Sequence, residues 1–464
     1  MAPRAATLLT GTVEGPGAAS VSWDGSSFRA WVKAVCAGES LIVLGTRITP
    51  PAQQAGNDGF CHEGLWPLCH RTSVRPTFRD SDFRMYSHTS AQWVAALCGE
   101  VRTESPIVLV QGYSLALAPT LIRARLPSAR IATFWRIPFP TPKVLSVCPW
   151  EREVVEGLLG SSILGFQTTE DCQNFLDAAV CVLGAHVDRR TNIVSYGRYC
   201  TLVRAYPASV EWPNPWVLQS ASVTNCRTIV RRRFKISQEA QLVVGIDRLD
   251  YTKGLAQKFL ALERLLIMRP EFRRKVVLLQ ITEPSRWGVS RYSEYRTHVH
   301  QTADRINQRF GTSGYEPIVL VERHLDGQEE CELFRAGDVC YVGSLHEGMN
   351  LVSKEFVSAR DDESGVLILS EFAGAARDLT DALSINPYAS DDCARTLVKA
   401  LTMPIEEQAR RMQSMRGVVQ RFNACEWSAD ILRDATAMSA RVGPPFGLIQ
   451  HAPDAQAAAH IAGQ

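Results

Sequence analysis

The stretch L-H-E-G-M-N-L-V-S-K-E-F, Leu345 to Phe356, decides how this chain is read. It has the pattern of a strand end, a tight turn at Gly348 and a helix start. Glu347 precedes the turn, and Glu355 falls about two turns into the helix. Backbone N–H groups at Met349, Asn350, Leu351 and Val352 then lack intrahelical acceptors, and they sit at the positive end of the helix dipole. Such a terminus binds anions. A phosphate cradle flanked by two carboxylates suits a ligand with a phosphate centre and hydroxyl-rich ends, such as a nucleotide sugar. The same residues also read as an ordinary capped helix, so a second segment is needed.

That segment is V-V-G-I-D-R-L-D-Y-T-K-G-L, Val243 to Leu255. The apolar run Leu242 to Ile246 predicts a buried strand, followed by a loop with Arg248 and Lys253 and a helix opening near Leu255. Two fixed cations at the carboxyl end of a strand can neutralise a diphosphate leaving group. Surface Arg and Lys are common, and it is the shared strand-to-helix loop that makes the pair informative, because open α/β sheets bind ligands there.

Together these segments resemble the trehalose-6-phosphate synthase family, glycosyltransferase family 20, a branch of retaining GT-B glycosyltransferases. Further matches are L-W-P-L-C-H (Leu65 to His70), I-P-F-P-T-P (Ile137 to Pro142), L-G-F-Q-T (Leu164 to Thr168), S-E-F-A-G-A-A-R-D-L (Ser370 to Leu379) and I-N-P-Y (Ile385 to Tyr388). The resemblance runs in order over roughly residues 20 to 435. It implies an α/β GT-B fold, with two Rossmann-like doubly wound domains facing a central cleft, and a retaining hexosyltransferase.

Composition agrees with a globular enzyme. The chain has 464 residues, 45% hydrophobic and 21% charged, with a net charge of +2, which gives no reason to expect nucleic acid or an anionic membrane as partner. No apolar run reaches the roughly 20 residues that span a bilayer, and the N-terminal apolar stretch is short for a secretion signal. Thirteen cysteines are scattered without a C-x-x-C, which suits a reducing cytoplasm. Cys61-His62 and Cys69-His70 could be read as a zinc site, but the spacing fits no familiar finger and the segment matches the family's F-C-N-x-x-L-W-P-x-x-H loop. The expectation is therefore no metal and no cofactor beyond a nucleotide-sugar co-substrate, a small-molecule acceptor as the other partner, and an oligomeric state left open.

Strand-like runs alternate with helical stretches twice. The first set is Leu41 to Leu44, Ile107 to Val110, Ile131 to Trp135 and Ile163 to Phe166. The second is Leu242 to Ile246, Val276 to Ile281, Ile318 to Val321, Val339 to Val342 and Val366 to Leu369. The expected division is an acceptor-side domain over 1–215, a nucleotide-sugar domain over 216–430, and a crossover helix and frayed tail over 431–464, with the linker between Pro207 and Val217. The family's opening strand, S-N-R and G-G-L elements have no counterpart in the first forty residues. The first strand and its loop are therefore read as missing or remodelled.

By resemblance, Arg248 and Lys253 hold the diphosphate. Glu355 takes the ribose hydroxyls, and the Gly348 to Val352 turn, with Met349, Asn350 and Leu351, cradles phosphate and sugar. Glu347 stands where the family has an Asp that binds sugar hydroxyls. Arg286 matches an acceptor-phosphate Arg, and Trp66 and Tyr113 match acceptor-side aromatics. The N-terminal half departs from the pattern. Family H-D-Y-H-L is here Q-G-Y-S-L, giving Gly112 and Ser114; the family Tyr falls at Asn57; and the His of H-I-P-F-P is Arg136. That His lies near C6 of the donor sugar in related enzymes. An Arg there suits a carboxylate, pointing to UDP-glucuronate rather than UDP-glucose. The alternative is that Arg136 turns to Glu347 or another carboxylate and the donor is ordinary.

In this mechanism the leaving diphosphate takes the acceptor's proton, and the protein supplies positioning and anion stabilisation, so the lost His and Asp need not abolish catalysis. One expectation is a retuned enzyme with a non-standard acceptor in natural-product biosynthesis, a nucleoside-derived acceptor or an aminocyclitol. The alternatives are an authentic trehalose-6-phosphate synthase or an inactive paralogue serving as a regulatory subunit.

Overall fold

The Val-, Ile- and Leu-rich runs become buried strands in the computed structural model, which describes residues 41–44 and 58–438 except 102, 104 and 285–289. Asn57, Arg286, the first forty residues and the tail after 438 lie outside the described residues.

The first sheet holds β1 (Leu41–Leu44), β2 (Ile107–Gln111), β3 (Arg130–Phe134), β4 (Ile163–Phe166), β5 (His186–Asp188), β6 (Ile193–Tyr196) and β7 (Tyr199–Ala205) in the order β1-β2-β3-β4-β7-β6-β5. Five of these strands are parallel neighbours, whereas β5, β6 and β7 pair antiparallel. That antiparallel edge is not part of the expected βα alternation. Its strands are short and only partly buried, so they carry no continuous apolar run. Helices α1 (Asp80–Glu100), α2 (Ala118–Arg125), α3 (Glu151–Leu159) and α4 (Thr169–Leu183) pack around this sheet.

The second sheet holds β8 (Gln241–Arg248), β9 (Val276–Glu283), β10 (Ile318–Glu322), β11 (Val339–Val342), β12 (Val366–Ser370) and β13 (Leu383–Ile385), all parallel. Its order is β10-β9-β8-β11-β12-β13, so the first strand of the domain lies beside the fourth. The winding reverses there, and in open α/β sheets the crevice beyond the strand ends at such a reversal binds the ligand. Helices α5 (Val223–Arg233), α6 (Leu255–Met268), α7 (Ser290–Phe310), α8 (Gly327–Ala336), α9 (Leu351–Ala359), α10 (Ser390–Leu401) and α11 (Ile405–Arg421) surround it. Two apolar clusters form the core, one on each face: Leu242, Val244, Leu279, Phe334 and Phe356 on one, and Val243, Phe259, Leu278, Tyr341 and Ile368 on the other. Alternate residues of β8 and β9 go to opposite faces, as strand geometry requires.

The last described helix, α12 (Ala424–Met438), returns to the first sheet. Ile431, Leu432 and Ala435 pack on Ile107, Leu109 and Phe134. Trp427 Nε1 donates to Tyr206 O at 3.0 Å, and the Tyr206 hydroxyl donates to Asp434 at 2.6 Å. At the linker, Lys354 of α9 is buried and donates to Ala208 O and to Asp378, each at 2.8 Å.

Candidate active site

β8 ends at Arg248 itself, so this cation sits on the strand end rather than in the following loop. Its guanidinium carbon lies 5.4 Å from the ring centre of Trp66, which comes from the first domain, so the two halves meet here by a cation–π contact. Among the described residues no carboxylate pairs with Arg248. Lys253 follows in a one-turn helix, Tyr251–Lys253, opened by Asp250, which accepts from the Thr252 amide at 3.0 Å. Lys253 is buried, and its ammonium pairs with Glu347 Oε1. Glu347 Oε2 accepts from Ser344 Oγ at 2.7 Å and Asn350 Nδ2 at 2.9 Å. Burial alone would raise the Glu347 carboxyl, but Lys253, Asn350 and Ser344 together bring it down to about 2. Glu347 is therefore an anion held by Lys253, not a partner for Arg136.

Asn350 caps α9 from a left-handed backbone, φ 79°, with Oδ1 accepting from the Ser353 amide at 2.8 Å. The cap uses one of the helix's free donors. Among the described residues the Leu351 and Val352 amides donate to no protein group and remain for an anion, beside Lys253 and Arg248. The Met349 carbonyl is taken by the Ala375 amide at 2.8 Å, which fixes the turn. Because α9 begins at Leu351, Glu355 lies one turn into it, closer to the cradle than the sequence pattern suggested. Burial and the nearby Glu283 carboxylate raise Glu355 to about 7. Glu330 of α8 belongs to the same group, raised well above its ordinary value by burial, Glu355 and Glu283. Sequence reasoning found only the first of these three carboxylates.

Gly348 is required by close approach. A Cβ there would stand 2.8 Å from Arg136 O and 3.2 Å from Gln167 Cγ, so the donor turn rests directly on the first domain's R-I-P-F-P backbone. Gln167 ties this backbone to the linker, donating to Arg136 O at 3.4 Å and accepting from the Ala208 amide at 3.0 Å. It lies in the L-G-F-Q-T segment that resembles the family.

The Arg136 side chain is exposed. Protein surrounds it nonetheless, and burial together with the charge of Arg248 lowers its pKa. Solvent reaches the group, so it stays charged. Among the described residues Arg136 pairs with no carboxylate, which leaves two like charges, Arg136 and Arg248, facing one site.

On the acceptor side, Gly112 takes φ 106°, a conformation that side-chain-bearing residues avoid. Glycine there serves the turn as well as leaving room: the atom nearest to a Cβ built on it is Ser114 Oγ at 3.9 Å. Ser114 is half-buried in the same turn, and Tyr113 packs 5.8 Å from Trp66 and 6.1 Å from Trp135 between ring centres. His70 closes the L-W-P-L-C-H match. It is buried, its Nδ1 donates to Trp66 O at 2.8 Å, and burial lowers it to about 4 within reach of the charges of Asp250, Glu347 and Lys253. The H ending W-P-L-C-H was the available signal for a buried histidine at this junction. Among the described residues no group of three His, Cys, Asp or Glu is placed to hold a metal, and no helix is long and apolar enough to cross a membrane.

Two parallel-sheet domains with a cationic, amide-lined switch point at their junction define a GT-B glycosyltransferase. Glycosyltransferase family 20 matches residues 39–437, and the chain belongs to that family. It is 33% identical over 384 residues to the alpha,alpha-trehalose-phosphate synthase [UDP-forming] 56 kDa subunit of Kluyveromyces lactis, covering 81% of this chain and 77% of that one. To the glucosylglycerol-phosphate synthase of Picosynechococcus sp. it is 32% identical over 418 residues, covering 84% and 82%. A solved alpha,alpha-trehalose-phosphate synthase (UDP-forming) from Burkholderia xenovorans, in complex with glucose-6-phosphate, superposes with a TM-score of 0.79 at 30% identity, covering 88% of this chain and 97% of that one.

Proposed function

We propose that this protein is a UDP-forming, configuration-retaining hexosyltransferase, and that the substrate pair best supported is that of trehalose-phosphate synthases, UDP-glucose with glucose 6-phosphate. The observation that carries the reading is the intact donor corner: Arg248, Lys253 and the free Leu351 and Val352 amides converge at the switch point. A diphosphate bound there meets two cations and a helix N-terminus as its negative charge grows, which is stabilisation aimed at the leaving group. Lys253 exchanges part of its contact with Glu347 for the phosphate, and Glu355 accepts from ribose hydroxyls. The cation set neutralises the diphosphate by itself, so no metal is assigned. The test is UDP release from UDP-glucose with glucose 6-phosphate, with the anomeric configuration of the product read by NMR. Turnover on the order of 10 s⁻¹ with an α-linked product supports the reading.

A second reading is favoured by Arg136. A cation beside the donor turn that pairs with no carboxylate among the described residues suits a donor sugar with a carboxylate at C6, such as UDP-glucuronate, and an acceptor outside primary sugar metabolism, of the natural-product kind. Turnover with UDP-glucuronate and none with UDP-glucose would move the assignment to this reading.

A further inference from the structure

The linker Pro207 to Val217 contains three prolines and no glycine, so its backbone has little freedom of its own. One residue of it, Ala208, is held from both domains. Its amide donates to Gln167 Oε1 at 3.0 Å on the first-domain side, and its carbonyl accepts from Lys354 Nζ at 2.8 Å on the second. Its methyl group packs against the second-domain cluster of Val244 and Phe356 and also against the first-sheet cluster of Phe134 and Ile431. Further along the linker, Asn214 Nδ2 donates to Ser358 Oγ at 2.9 Å.

Lys354 and Ser358 stand one turn apart on the same face of α9, the helix whose first amides are left for the diphosphate. Lys354 is buried; burial lowers its pKa, and the Asp378 carboxylate at 2.8 Å opposes that. An ammonium taken out of water needs partners for its protons. Asp378 is one, within the second domain, and the linker carbonyl is the other. A charge-assisted bond of this kind is stronger than one between neutral groups. On the opposite side, the Gln167 amide group that accepts from Ala208 donates to Arg136 O, the atom on which the Gly348 turn rests. The contacts close a circuit that runs from α9 through the linker, Gln167 and the Arg136 backbone to the Gly348 turn and back to α9.

We infer that Lys354 is a positioning residue for the transfer reaction: through Ala208 it fixes the spacing between the donor helix α9 and the first-domain face that meets it. This rests on the proposed transferase reading. In that reading the groups that hold UDP, Arg248, Lys253, Glu355 and the Leu351 and Val352 amides, all belong to the second domain, whereas transfer needs both domains in register. Releasing Ala208 therefore spares nucleotide binding and misplaces the reacting groups.

The experiment is steady-state kinetics with UDP-glucose and glucose 6-phosphate, with kcat expressed per UDP-binding site counted by calorimetry. It compares wild type, Lys354→Met, Gln167→Leu, the double variant and Asp378→Asn. Lys354→Met and Gln167→Leu each lower kcat per site about tenfold or more and leave UDP affinity within about threefold. The double variant falls no more than about twofold below the slower single variant, because both substitutions free the same peptide. Asp378→Asn leaves the bond from Lys354 to Ala208 in place, so it lowers Tm while kcat per site stays within about threefold. If Lys354→Met does not fold, Gln167→Leu carries the test alone. An unchanged kcat per site in Gln167→Leu or in folded Lys354→Met, losses that multiply in the double variant, or a loss in Asp378→Asn as large as in Lys354→Met would make these contacts merely structural and overturn the inference. A wild type without UDP binding or turnover would instead strike the transferase reading.

Discussion

Replacing Lys253 with Met should cost the unliganded protein a large part of its second-domain stability, in a pH-dependent way. Lys253 is the main group holding the Glu347 carboxyl at about 2 against burial, while the Glu347 side chain is only 18% exposed. Lowering a carboxyl from its ordinary 4.5 to about 2 is worth about 3 kcal/mol of folding stability. Removing the ammonium also leaves Glu347 buried with only Ser344 and Asn350 as donors, so a loss of about 3–5 kcal/mol is expected at pH 7. For a unit of this size that is a fall of about 6–20 °C in Tm. The sign with pH follows from linkage. A depressed carboxyl contributes stability that is present above its unfolded value of 4.5 and lost as pH falls through about 2. In the variant Glu347 is raised instead, and protonation relieves it. The deficit of Lys253→Met is therefore greatest near neutrality and narrows below about pH 4.5. Differential scanning calorimetry of both proteins at pH 7 and pH 4, without nucleotide, reads this directly. A deficit equal at the two pH values, or below about 1 kcal/mol at pH 7, would show that the pair is incidental.

Three further outcomes are expected. Gly348→Ala puts a methyl 2.8 Å from Arg136 O, so kcat should fall about tenfold or more with a lower Tm, as the donor turn is pushed off the first domain; steady-state kinetics and a melting curve check it. Glu355 is raised to about 7, so the folded state holds a proton that the unfolded chain gives up between 4.5 and 7, and stability falls as pH rises through that window. Glu355→Gln should accordingly raise Tm at pH 8, change it little at pH 4 and weaken UDP binding, and a Tm gain equal at both pH values would contradict the assignment. Arg136→His should leave UDP affinity unchanged and weaken UDP-glucuronate by about 2 kcal/mol or more, and equal calorimetric losses for the two ligands would make Arg136 a structural residue.

Local pattern made much of this legible. The apolar run at Leu242 to Ile246 became the centre of β8, and the cations after it and the Asn350 turn became the switch-point corner, because each depends on neighbours within a few residues. The hairpin β5–β6 and the short β13 were not legible, since three- and four-residue strands with mixed burial carry no periodic signal. Pairings across long separations were also hidden. Lys253 and Glu347 are 94 residues apart, so their ion pair could not be told from two independent ligand contacts. His62 and Tyr113 are 51 apart, and Cys-His spacing drew attention to metal instead. Gly348 read as a turn former, while its actual constraint is the backbone of Arg136 in the other domain.

The claim on which all of this rests is that Arg248, Lys253 and the α9 terminus form a working nucleoside-diphosphate site. Isothermal titration of UDP into the ligand-free protein tests it most directly, alongside Arg248→Ala and Lys253→Ala. Saturable binding with a Kd below about 1 mM, weakened about tenfold or more in each variant, is the expected result. No binding at millimolar UDP, or binding that both substitutions leave untouched, would contradict it.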